Sequence, residues 1–369
     1  MIMQTINDIF KTYSAEYIER YVDRMPKQHL KVIKAINHCR TPDCGTVVYT
    51  CRNCGRMHTT FCSCGNRHCP SCQYQKSQHW LEKQFKRQLP GHHFMITFTL
   101  PQELRDFIRS HQRKGYDAMF AASAGTLKTF AQDDRWAGGD LPGFFGVLHT
   151  WGRQLPYHPH IHYVVPGGAL STKDGKWHPT QKAYFAPVKA LSNVYKAKFI
   201  AEIKKAGLYD EIDPMVWQKP FIVHSRTADS SRPGIKYLAP YVFKVAISNH
   251  RIVKVENDRV FFRYKKTKSN RWRTMSLAVM EFMHRFLQHV LPSGFMKVRY
   301  YGFLSPGSSV DINDLSALIE KTCKIIAEKI SIAKNKAKAL TPCCPDCKGR
   351  LVFKCFVPPM RPEYMFGYG

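Results

Sequence analysis

The placement of cysteines constrains the fold of this chain more than any other feature of its 369-residue sequence. Eight of the 13 cysteines lie between Cys39 and Cys72, and four lie between Cys343 and Cys355. Hydrophobic periodicity disappears in residues 39–72, where cysteine, glycine, histidine and arginine dominate. A segment without a hydrophobic core of its own can be stabilised by bound metal instead. We therefore predict a zinc-binding domain in the N-terminal part of the chain.

Two Cys-x-x-Cys pairs in this segment have the spacing of zinc ligands. Cys51 and Cys54 form one pair, Cys69 and Cys72 form the other, and fourteen residues separate them. Two such turns can converge on one tetrahedral ion, so we predict that these four thiolates share a zinc site. Other candidate ligands remain, and they either form a second site, replace one of the four, or bind no metal. They are Cys39, Cys64 and His68, together with Cys44, Cys62 and His58.

The C-terminal cysteines carry a weaker signal. Cys344 and Cys347 form a Cys-x-x-Cys pair, flanked by Cys343 and Cys355. The distance from Cys347 to Cys355 is short for a zinc ribbon, and little chain follows to supply further ligands. The sequence therefore leaves open whether a small C-terminal zinc knuckle forms.

The charge balance indicates a polyanionic partner. Lysine and arginine outnumber aspartate and glutamate by 56 to 27, which gives a formal net charge of +29. Nucleic acid is the commonest polyanion that relieves such self-repulsion, although a merely solubilising surface is the alternative. No stretch approaches the roughly 20 apolar residues of a membrane helix, and the first residues do not resemble a signal peptide. We therefore expect a cytoplasmic protein without a membrane partner.

The basic residues are concentrated beside aromatic ones in residues 251–300. This stretch has 12 lysines and arginines, only three acidic residues, and the aromatic side chains of Phe261, Phe262, Tyr264 and Trp272. Phosphate-neutralising charges beside stacking platforms suit single-stranded DNA, whereas the alternative is a basic surface over an ordinary aromatic core. The candidate DNA-binding residues are Arg263, Lys265, Lys266, Arg271 and Arg273.

Three histidines are expected to meet on two neighbouring strands. Residues 144–151 and 160–165 read as strands joined by a proline-containing loop, which predicts an antiparallel hairpin. His160 and His162 lie two apart on the second strand, so both imidazoles face the same side and can bind one ion. The hairpin brings His149 near them as a third ligand, and His158 is either a substitute for it or a loop residue. Chance alternation of histidines on a strand is the competing interpretation.

Two tyrosines four residues apart, Tyr237 and Tyr241, are expected on one helical face. By themselves they read as core aromatics. Beside a metal-binding histidine pair they suggest attack of a tyrosine on a DNA phosphodiester. Pro240 lies between them and can kink or end a helix, so their common face is not assured by the sequence.

Four segments carry a resemblance to a known family, in a fixed order along the chain. They are residues 51–72 (CRNCG…SCGNRHCPSC), 94–101 (FMITFTLP), 148–168 (LHTWG…HPHIHYVVPGG) and 237–252 (YLAPYVFKVAISNHRI). These motifs resemble the two-tyrosine HUH transposases of bacterial rolling-circle insertion sequences, the group typified by insertion sequence 91. HUH denotes two histidines separated by a hydrophobic residue, which corresponds to His160, Ile161 and His162 here.

The resemblance implies an α+β fold, in which an antiparallel sheet flanked by helices forms an HUH endonuclease domain. It also implies a transposase that nicks single-stranded or hairpin-containing element ends and becomes 5′-linked through a tyrosine. The same strand is then transferred to target DNA. In such families the HUH pair holds Mg²⁺ or Mn²⁺, and the two tyrosines are the nucleophiles. Structural Zn²⁺ accompanies the catalytic ion.

From these segments we expect four consecutive domains. They are a helical, zinc-binding and DNA-binding domain at 1–90, an HUH nuclease domain at 91–265, a basic helical DNA-binding region at 266–340, and a cysteine-containing tail at 341–369. Two other functions compete with the transposase. A plasmid relaxase or replication initiator shares the chemistry but recognises an origin. A non-catalytic zinc-ribbon protein binds DNA without forming a covalent adduct.

Overall fold

The computed structural model describes residues 5–243, 246–266, 269, 271–323 and 342–359. The helices in chain order are α1 (Ile6–Tyr21), α2 (Lys27–His38), α3 (Tyr74–Lys86), α4 (Arg105–Ser110), α5 (Gln112–Gln132), α6 (Val188–Lys205), α7 (Arg232–Phe243), α8 (Val279–Leu287) and α9 (Ile312–Cys323). The strands are β1 (Thr46–Cys51), β2 (Met57–Phe61), β3 (His93–Thr99), β4 (Phe144–Trp151), β5 (Tyr157–Pro166), β6 (Gly168–Leu170), β7 (Trp177–Pro179), β8 (Ile222–Ala228), β9 (Ile252–Glu256), β10 (Arg259–Lys265), β11 (Trp272–Ala278), β12 (Val298–Tyr301) and β13 (Leu351–Val357).

The chain combines helices with strands, and every strand pair among the described strands is antiparallel. This confirms the predicted α+β class. No helix in the described part of the chain has the length and apolar character needed to cross a bilayer.

The chain divides into two compact units, and neither is continuous in sequence. Unit 1 comprises Met1–Gln75, Phe243–Val290 and Glu328–Gly369, and unit 2 comprises Lys76–Val242 and Leu291–Ala327. This division differs from the four consecutive segments expected at 1–90, 91–265, 266–340 and 341–369. Long-range pairing is the physical reason. In unit 1, β13 pairs with β1, and α1 packs on α8 with the Phe10 and Phe286 rings 5.2 Å apart.

Unit 2 is built around an antiparallel sheet with the strand order β12-β4-β5-β3-β8. Its apolar face packs against α4, α5 and α6 to form the core. The Phe98 ring lies 4.9 Å from that of Tyr195 on α6, and Tyr163 shares a buried 2.7 Å hydrogen bond with Ser123 on α5. Because side chains alternate across a strand, residues of even and odd number on β5 face opposite sides of the sheet. The core therefore holds one face of β5 in place and fixes where the other face points.

The predicted hairpin of β4 and β5 is present. Its register places Leu148 opposite Ile161 and His149 opposite His160. The Gly152 amide donates to the Pro156 carbonyl across the connecting turn.

In unit 1, β9, β10 and β11 form an antiparallel sheet. The β9–β10 connection is a two-residue turn at Asn257 and Asp258, with φ values of 50° and 53°. Positive φ at both positions is what a tight hairpin turn requires. Phe262 is buried on the inner side of this sheet, where its ring centre lies 5.8 Å from that of Phe282 in α8. A second sheet in this unit has the order β13-β1-β2.

Candidate active site and metal clusters

The structure brings the three predicted histidines together on one face of the sheet in unit 2. His149 on β4 lies directly opposite His160 on β5, and His162 follows two residues later. One ring nitrogen from each of the three lies within 4.8 Å of the others. Ile161 points into the opposite, apolar face and is fully buried. Three imidazole nitrogens at this separation can serve as ligands of one divalent cation.

Hydrogen bonds orient two of the three rings. Nδ1 of His160 donates to the backbone carbonyl of His158 at 2.7 Å, so the Nε2 lone pair of neutral His160 is available to a ligand. Nδ1 of His162 shares a 2.7 Å hydrogen bond with Oγ1 of Thr97, its partner on β3. Nε2 of His162 is buried and has no hydrogen-bond partner within the described ranges. A buried polar atom of this kind is unfavourable unless something binds it, which fits a metal ligand.

Burial keeps the three imidazoles neutral. It lowers the pKa of His160 to about 4, and it lowers the pKa values of His149 and His162 well below the ordinary value near 6.5. Coulombic repulsion from a neighbouring histidine also disfavours the protonated form of each of the three. At neutral pH the ring nitrogens therefore present lone pairs instead of a repelling charge, as coordination requires.

Two cationic side chains border the histidines. The charge of Arg105 contributes to the lowered pKa of His160, and that of Lys297 contributes to the lowered pKa of His149. Lys297 Nζ lies 4.7 Å from the ring centre of Trp151, which in turn stacks on His149. The positive charge of these two side chains attracts an anionic phosphate to the site. It disfavours a further cation that brings no anionic ligand with it.

Tyr237 lies beside the histidines. Its ring centre is 5.6 Å from that of His162, with the two planes nearly perpendicular, and 49% of the residue is exposed. Tyr241 follows one turn later in α7, and its side chain is outside the described part of the structure. Helix α7 begins at Arg232 and continues through Pro240. The tyrosine pair therefore belongs to a single helix, despite the proline.

A glycine lets α7 lie directly on the sheet. A Cβ atom at Gly234 would come 2.3 Å from Sδ of Met95 and 3.3 Å from Cγ2 of Val164. Leu238, four residues along the same face, is fully buried. The close approach at Gly234 and the burial of Leu238 together fix the helix, so that Tyr237 is held next to His162.

The cysteines of unit 1 form two clusters, and neither is the group of Cys51, Cys54, Cys69 and Cys72 predicted from their spacing. In the first cluster, Sγ of Cys72 lies 3.3 Å from Sγ of Cys39 and 3.5 Å from Sγ of Cys64. Cys69 completes the group, with all four sulfur atoms within 4.8 Å of one another. Zn–S bonds of about 2.3 Å in a tetrahedron place sulfur atoms about 3.8 Å apart, so this spacing suits a zinc ion.

The second cluster combines cysteines from opposite ends of the chain. Sγ of Cys51 lies 3.4 Å from Sγ of Cys347, and Sγ of Cys54 lies 3.8 Å from Sγ of Cys344. The prediction that Cys51 and Cys54 share an ion with the pair at 69 and 72 is therefore wrong. The different grouping results from the pairing of β1 with β13, because this pairing brings the C-terminal cysteines to the end of β1.

Backbone amides stabilise thiolates in the second cluster. Hydrogen bonds from the amides of Cys54 and Asn53 lower the pKa of Cys51 to about 7. The pKa of Cys344 is lowered in the same way, chiefly by the amide of Cys347. Since the thiolate is the form that binds metal, both effects favour coordination.

The remaining candidate ligands lie outside these two groups of four. His68 is buried, and its Nε2 atom accepts a 3.3 Å hydrogen bond from Nε of Arg67. The thiol of Cys44 donates to the backbone carbonyl of His38. His58 lies at the edge of the second cluster, with Nε2 3.2 Å from Sγ of Cys344.

The predicted DNA-binding residues are divided between the two faces and one end of the β9–β11 sheet. Arg263 and Lys265 share a face with Trp272, which is 54% exposed, and Lys265 Nζ lies 5.3 Å from the centre of its ring. Arg273 lies on the other face, because it pairs with Tyr264. Lys266 and Arg271 are joined by a backbone hydrogen bond at the end of the hairpin.

Sequence reasoning missed three residues that contribute to the histidine site. Thr97 is a polar residue between the apolar Ile96 and Phe98, and this alternation is the available signal for a residue facing away from the core. Arg105 and Lys297 lie far from the histidines along the chain, so nothing in their local sequence indicates this neighbourhood.

Comparison with known proteins gives matches over most of the chain. Residues 143–310 match the profile of the family described as "Putative transposase", and residues 9–100 match the "Transposase zinc-binding domain". The putative transposase y4qJ of Sinorhizobium fredii is 35% identical over 81% of this chain and 80% of its own length. The transposase for insertion sequence element IS801 of Pseudomonas savastanoi pv. phaseolicola is 28% identical over 72% of this chain and 68% of its own.

No solved structure matches the chain. The zinc-binding profile coincides with the N-terminal cysteines, and both it and the cysteine clusters support structural zinc. Both relatives are named as transposases, one of them as putative, and transposase function implies DNA as a partner. From the matched profiles and from the extent of these similarities, the chain belongs to the insertion sequence 91 family of transposases.

Proposed function

We propose that this transposase is an HUH nickase and strand transferase that acts on single-stranded DNA through a tyrosine nucleophile. The observation that carries the proposal is the Tyr237 ring, half-exposed and 5.6 Å from that of His162, beside three neutral histidines whose ring nitrogens lie within 4.8 Å of one another. An aromatic side chain with a purely structural role in the core would be buried, whereas Tyr237 is half-exposed beside uncharged side chains that can bind a metal ion. The combination is what phosphotyrosine chemistry requires.

The residues that would hold a catalytic Mg²⁺ or Mn²⁺ are His149, His160 and His162. When bound there, the cation supplies Lewis-acid polarisation of the scissile phosphate. The orphaned Nε2 of His162 and the carbonyl-bound ring of His160 fit this role. Imidazole ligands suit Mn²⁺ better than Mg²⁺, so we expect Mn²⁺ to support activity at least as well.

Tyr237 performs the substitution at phosphorus. Its hydroxyl oxygen forms the new O–P bond while the bond from phosphorus to the 3′ oxygen breaks. The phenolic proton is lost to solvent and the departing 3′ oxygen gains one, which leaves a 5′-phosphotyrosine and a free 3′-OH. Arg105 and Lys297 attract the phosphate to the site and offset its negative charge. Tyr241, one turn along α7, supplies a second nucleophile for a successive strand transfer.

The proposal is tested by trapping the covalent intermediate. Single-stranded DNA from an element end, labelled on the portion 3′ of the cleavage point, is incubated with protein and Mg²⁺ or Mn²⁺ and separated on a denaturing gel. We expect a labelled protein–DNA band that requires metal, because the 5′-phosphate of the labelled portion is joined to tyrosine. The double variant Tyr237→Phe and Tyr241→Phe is expected to give no band, since neither ring retains a nucleophilic oxygen.

DNA binding by the double variant is the control, and it should remain at the wild-type level. Wild-type protein that binds the same DNA and metal but gives no adduct with several element ends would contradict the proposal. It would favour the non-catalytic DNA-binding protein instead. A plasmid relaxase or replication initiator shares the chemistry, but family membership favours transposition. Because the substrate of the proposed reaction is DNA, we expect the reaction to take place in the bacterial cytoplasm, at the nucleoid.

The exposed face of the β9–β11 sheet is proposed as a platform for single-stranded DNA. This face carries two aromatic and three basic side chains, which are those of Phe261, Trp272, Lys254, Arg263 and Lys265. Nζ of Lys254 lies 5.0 Å from the centre of the Phe261 ring. Bases can stack on the aromatic rings while the cations contact phosphates, as in other single-strand-binding surfaces.

Trp272→Ala is expected to weaken binding of single-stranded DNA by about tenfold, since loss of one stacking platform costs roughly 1–3 kcal/mol. Fluorescence anisotropy with a labelled oligonucleotide measures the change. A matched pair of variants separates the two faces of the sheet. Arg263→Ala should weaken binding more than Arg273→Ala, although both remove one charge. Equal effects would indicate a general electrostatic contribution without a defined platform.

A further inference from the structure

The two halves of the second cysteine cluster have the same backbone conformation. We call residues 51–56 the first knuckle and residues 344–349 the second knuckle. They come from parts of the chain about 290 residues apart, and their sequences, CRNCGR and CPDCKG, share only the two cysteines at equivalent positions. The likeness therefore requires a physical cause other than sequence similarity.

Two backbone hydrogen bonds define the first knuckle. The amide of Gly55 donates to the carbonyl of Cys51 at 3.0 Å, and the amide of Cys51 donates to the carbonyl of Arg56 at 2.9 Å. Gly55 has a φ of 72°, which is the left-handed conformation that glycine adopts readily. This turn directs the amides of Asn53 and Cys54 towards the sulfur of Cys51.

The second knuckle repeats both bonds at equivalent positions. The amide of Lys348 donates to the carbonyl of Cys344 at 3.0 Å, and the amide of Cys344 donates to the carbonyl of Gly349 at 2.8 Å. Lys348 occupies the position of Gly55 and has a φ of 59°, although a side chain makes this conformation unfavourable. A lysine in the left-handed region indicates that interactions of the surrounding structure, here the cysteine cluster, stabilise the turn.

The knuckles face each other and are joined at several points. The Arg52 amide donates to the Arg350 carbonyl at 3.0 Å, and Arg56 forms a 2.9 Å salt bridge with Asp346. A Cβ atom at Gly349 would come within 2.7 Å of Asn53, so only glycine permits this approach. Four sulfur atoms meet between the knuckles, at separations too long for disulfides and close to the edge of a zinc–thiolate tetrahedron.

We propose that Cys51, Cys54, Cys344 and Cys347 hold a zinc ion of their own, separate from an ion held by the first cluster. The β13-β1-β2 sheet is then a zinc ribbon with one knuckle from each end of the chain. Zinc is favoured over harder cations because all four ligands are thiolates and no oxygen donor replaces one of them. His58 Nε2, 3.2 Å from the Cys344 sulfur, supports that thiolate from outside the group of four. The ion ties residues 344–347 to the N-terminal segment.

Metal content of the purified full-length protein tests the proposal. We expect two zinc ions per chain by inductively coupled plasma mass spectrometry, and one in the double variant Cys344→Ser and Cys347→Ser. The variant Cys51→Ser and Cys54→Ser should also retain one ion. A matched control is Cys343→Ser with Cys355→Ser, which changes two other thiols of the same C-terminal segment and should keep both ions. One ion in the wild type, or two in either knuckle variant, would overturn the proposal.

Alkylation of the wild-type protein provides a test that does not depend on the folding of any variant. Peptide-level mass spectrometry follows the reaction of each cysteine with iodoacetamide. Cys347, which is exposed like Cys355, is expected to react at least about tenfold more slowly than Cys355, because zinc-bound thiolates are protected, and the buried Cys344 should be slow as well. Chelation should release all four cysteines of the cluster together. Reaction of Cys344 and Cys347 at the rate of Cys355 before chelation would contradict a shared ion. Neither measurement involves DNA cleavage, so the result stands apart from the proposed nickase activity.

Discussion

Replacing His162 with alanine is expected to reduce covalent adduct formation by about a thousandfold. The reason is that the metal-binding set loses its central member, and a divalent cation contributes several kcal/mol to stabilisation of a phosphoryl-transfer transition state. Nε2 of His162 is buried without a hydrogen-bond partner in the residues described, but the substitution also removes the 2.7 Å hydrogen bond between Nδ1 of His162 and Oγ1 of Thr97. The rate of adduct formation is measured over a range of Mn²⁺ concentrations, with DNA binding as the test of folding.

His158→Ala is the matched control for this variant. His158 contributes to the site through its backbone carbonyl, which accepts the hydrogen bond from His160 and survives the substitution. Its ring centre lies 5.0 Å from that of His160, so both variants remove a histidine from the same neighbourhood. We expect His158→Ala to retain activity within about tenfold of wild type. Equal losses in the two variants would argue that the histidines act through charge or packing and not as ligands.

Cys69→Ser is expected to unfold much of unit 1. Structural zinc contributes roughly 10–16 kcal/mol in small zinc domains, which is comparable to or larger than the whole stability of a typical domain. Cys69 is 2% exposed, and Nδ2 of Asn7 in α1 donates to its sulfur at 3.7 Å, so the cluster also anchors the first helix. The measurement is hydrogen exchange of α1 and α2, together with zinc content.

Cys62→Ser is the control for that prediction, because Cys62 belongs to the same segment but lies outside both groups of four sulfur atoms. It should change neither zinc content nor exchange by a measurable amount. Retention of α1 protection in Cys69→Ser would indicate that hydrophobic packing, including the Phe10–Phe286 contact, holds this unit without the metal.

Local features of the sequence predicted much of the sheet in unit 2. Strand β4 has the bounds expected, and the hairpin register placed His149 opposite His160 because alternation and a short connection leave few choices. These elements are specified by neighbours in the chain. Tyr237 was identified as a candidate, but its position beside His162 depends on packing at Gly234 that no local pattern reveals.

The grouping of the cysteines was not predictable from spacing. Spacing identifies a Cys-x-x-Cys knuckle but not the second knuckle that shares its ion. For Cys51 and Cys54, the nearest pair in the sequence is Cys69 and Cys72, which is not the pair they meet. Their actual partners, Cys344 and Cys347, precede β13, whose pairing with β1 joins residues about 300 positions apart. The domain boundaries differ for the same reason, since unit 1 is assembled from three separated segments. Tertiary pairing over such distances leaves no periodic trace in the sequence.

The separation of the two knuckles has a consequence during protein synthesis. Ribosomes add about 5–20 residues per second, so Cys51 and Cys54 emerge roughly 15 to 60 s before their partners. In that interval the neighbouring pair at Cys69 and Cys72 is already present, and a zinc ion bridging the two pairs competes with the native first cluster. Alkylation of stalled nascent chains would detect this early species as protection of all four thiols. A chain in which this early species forms has to exchange a local metal-binding partner for a distant one before the ribbon is complete.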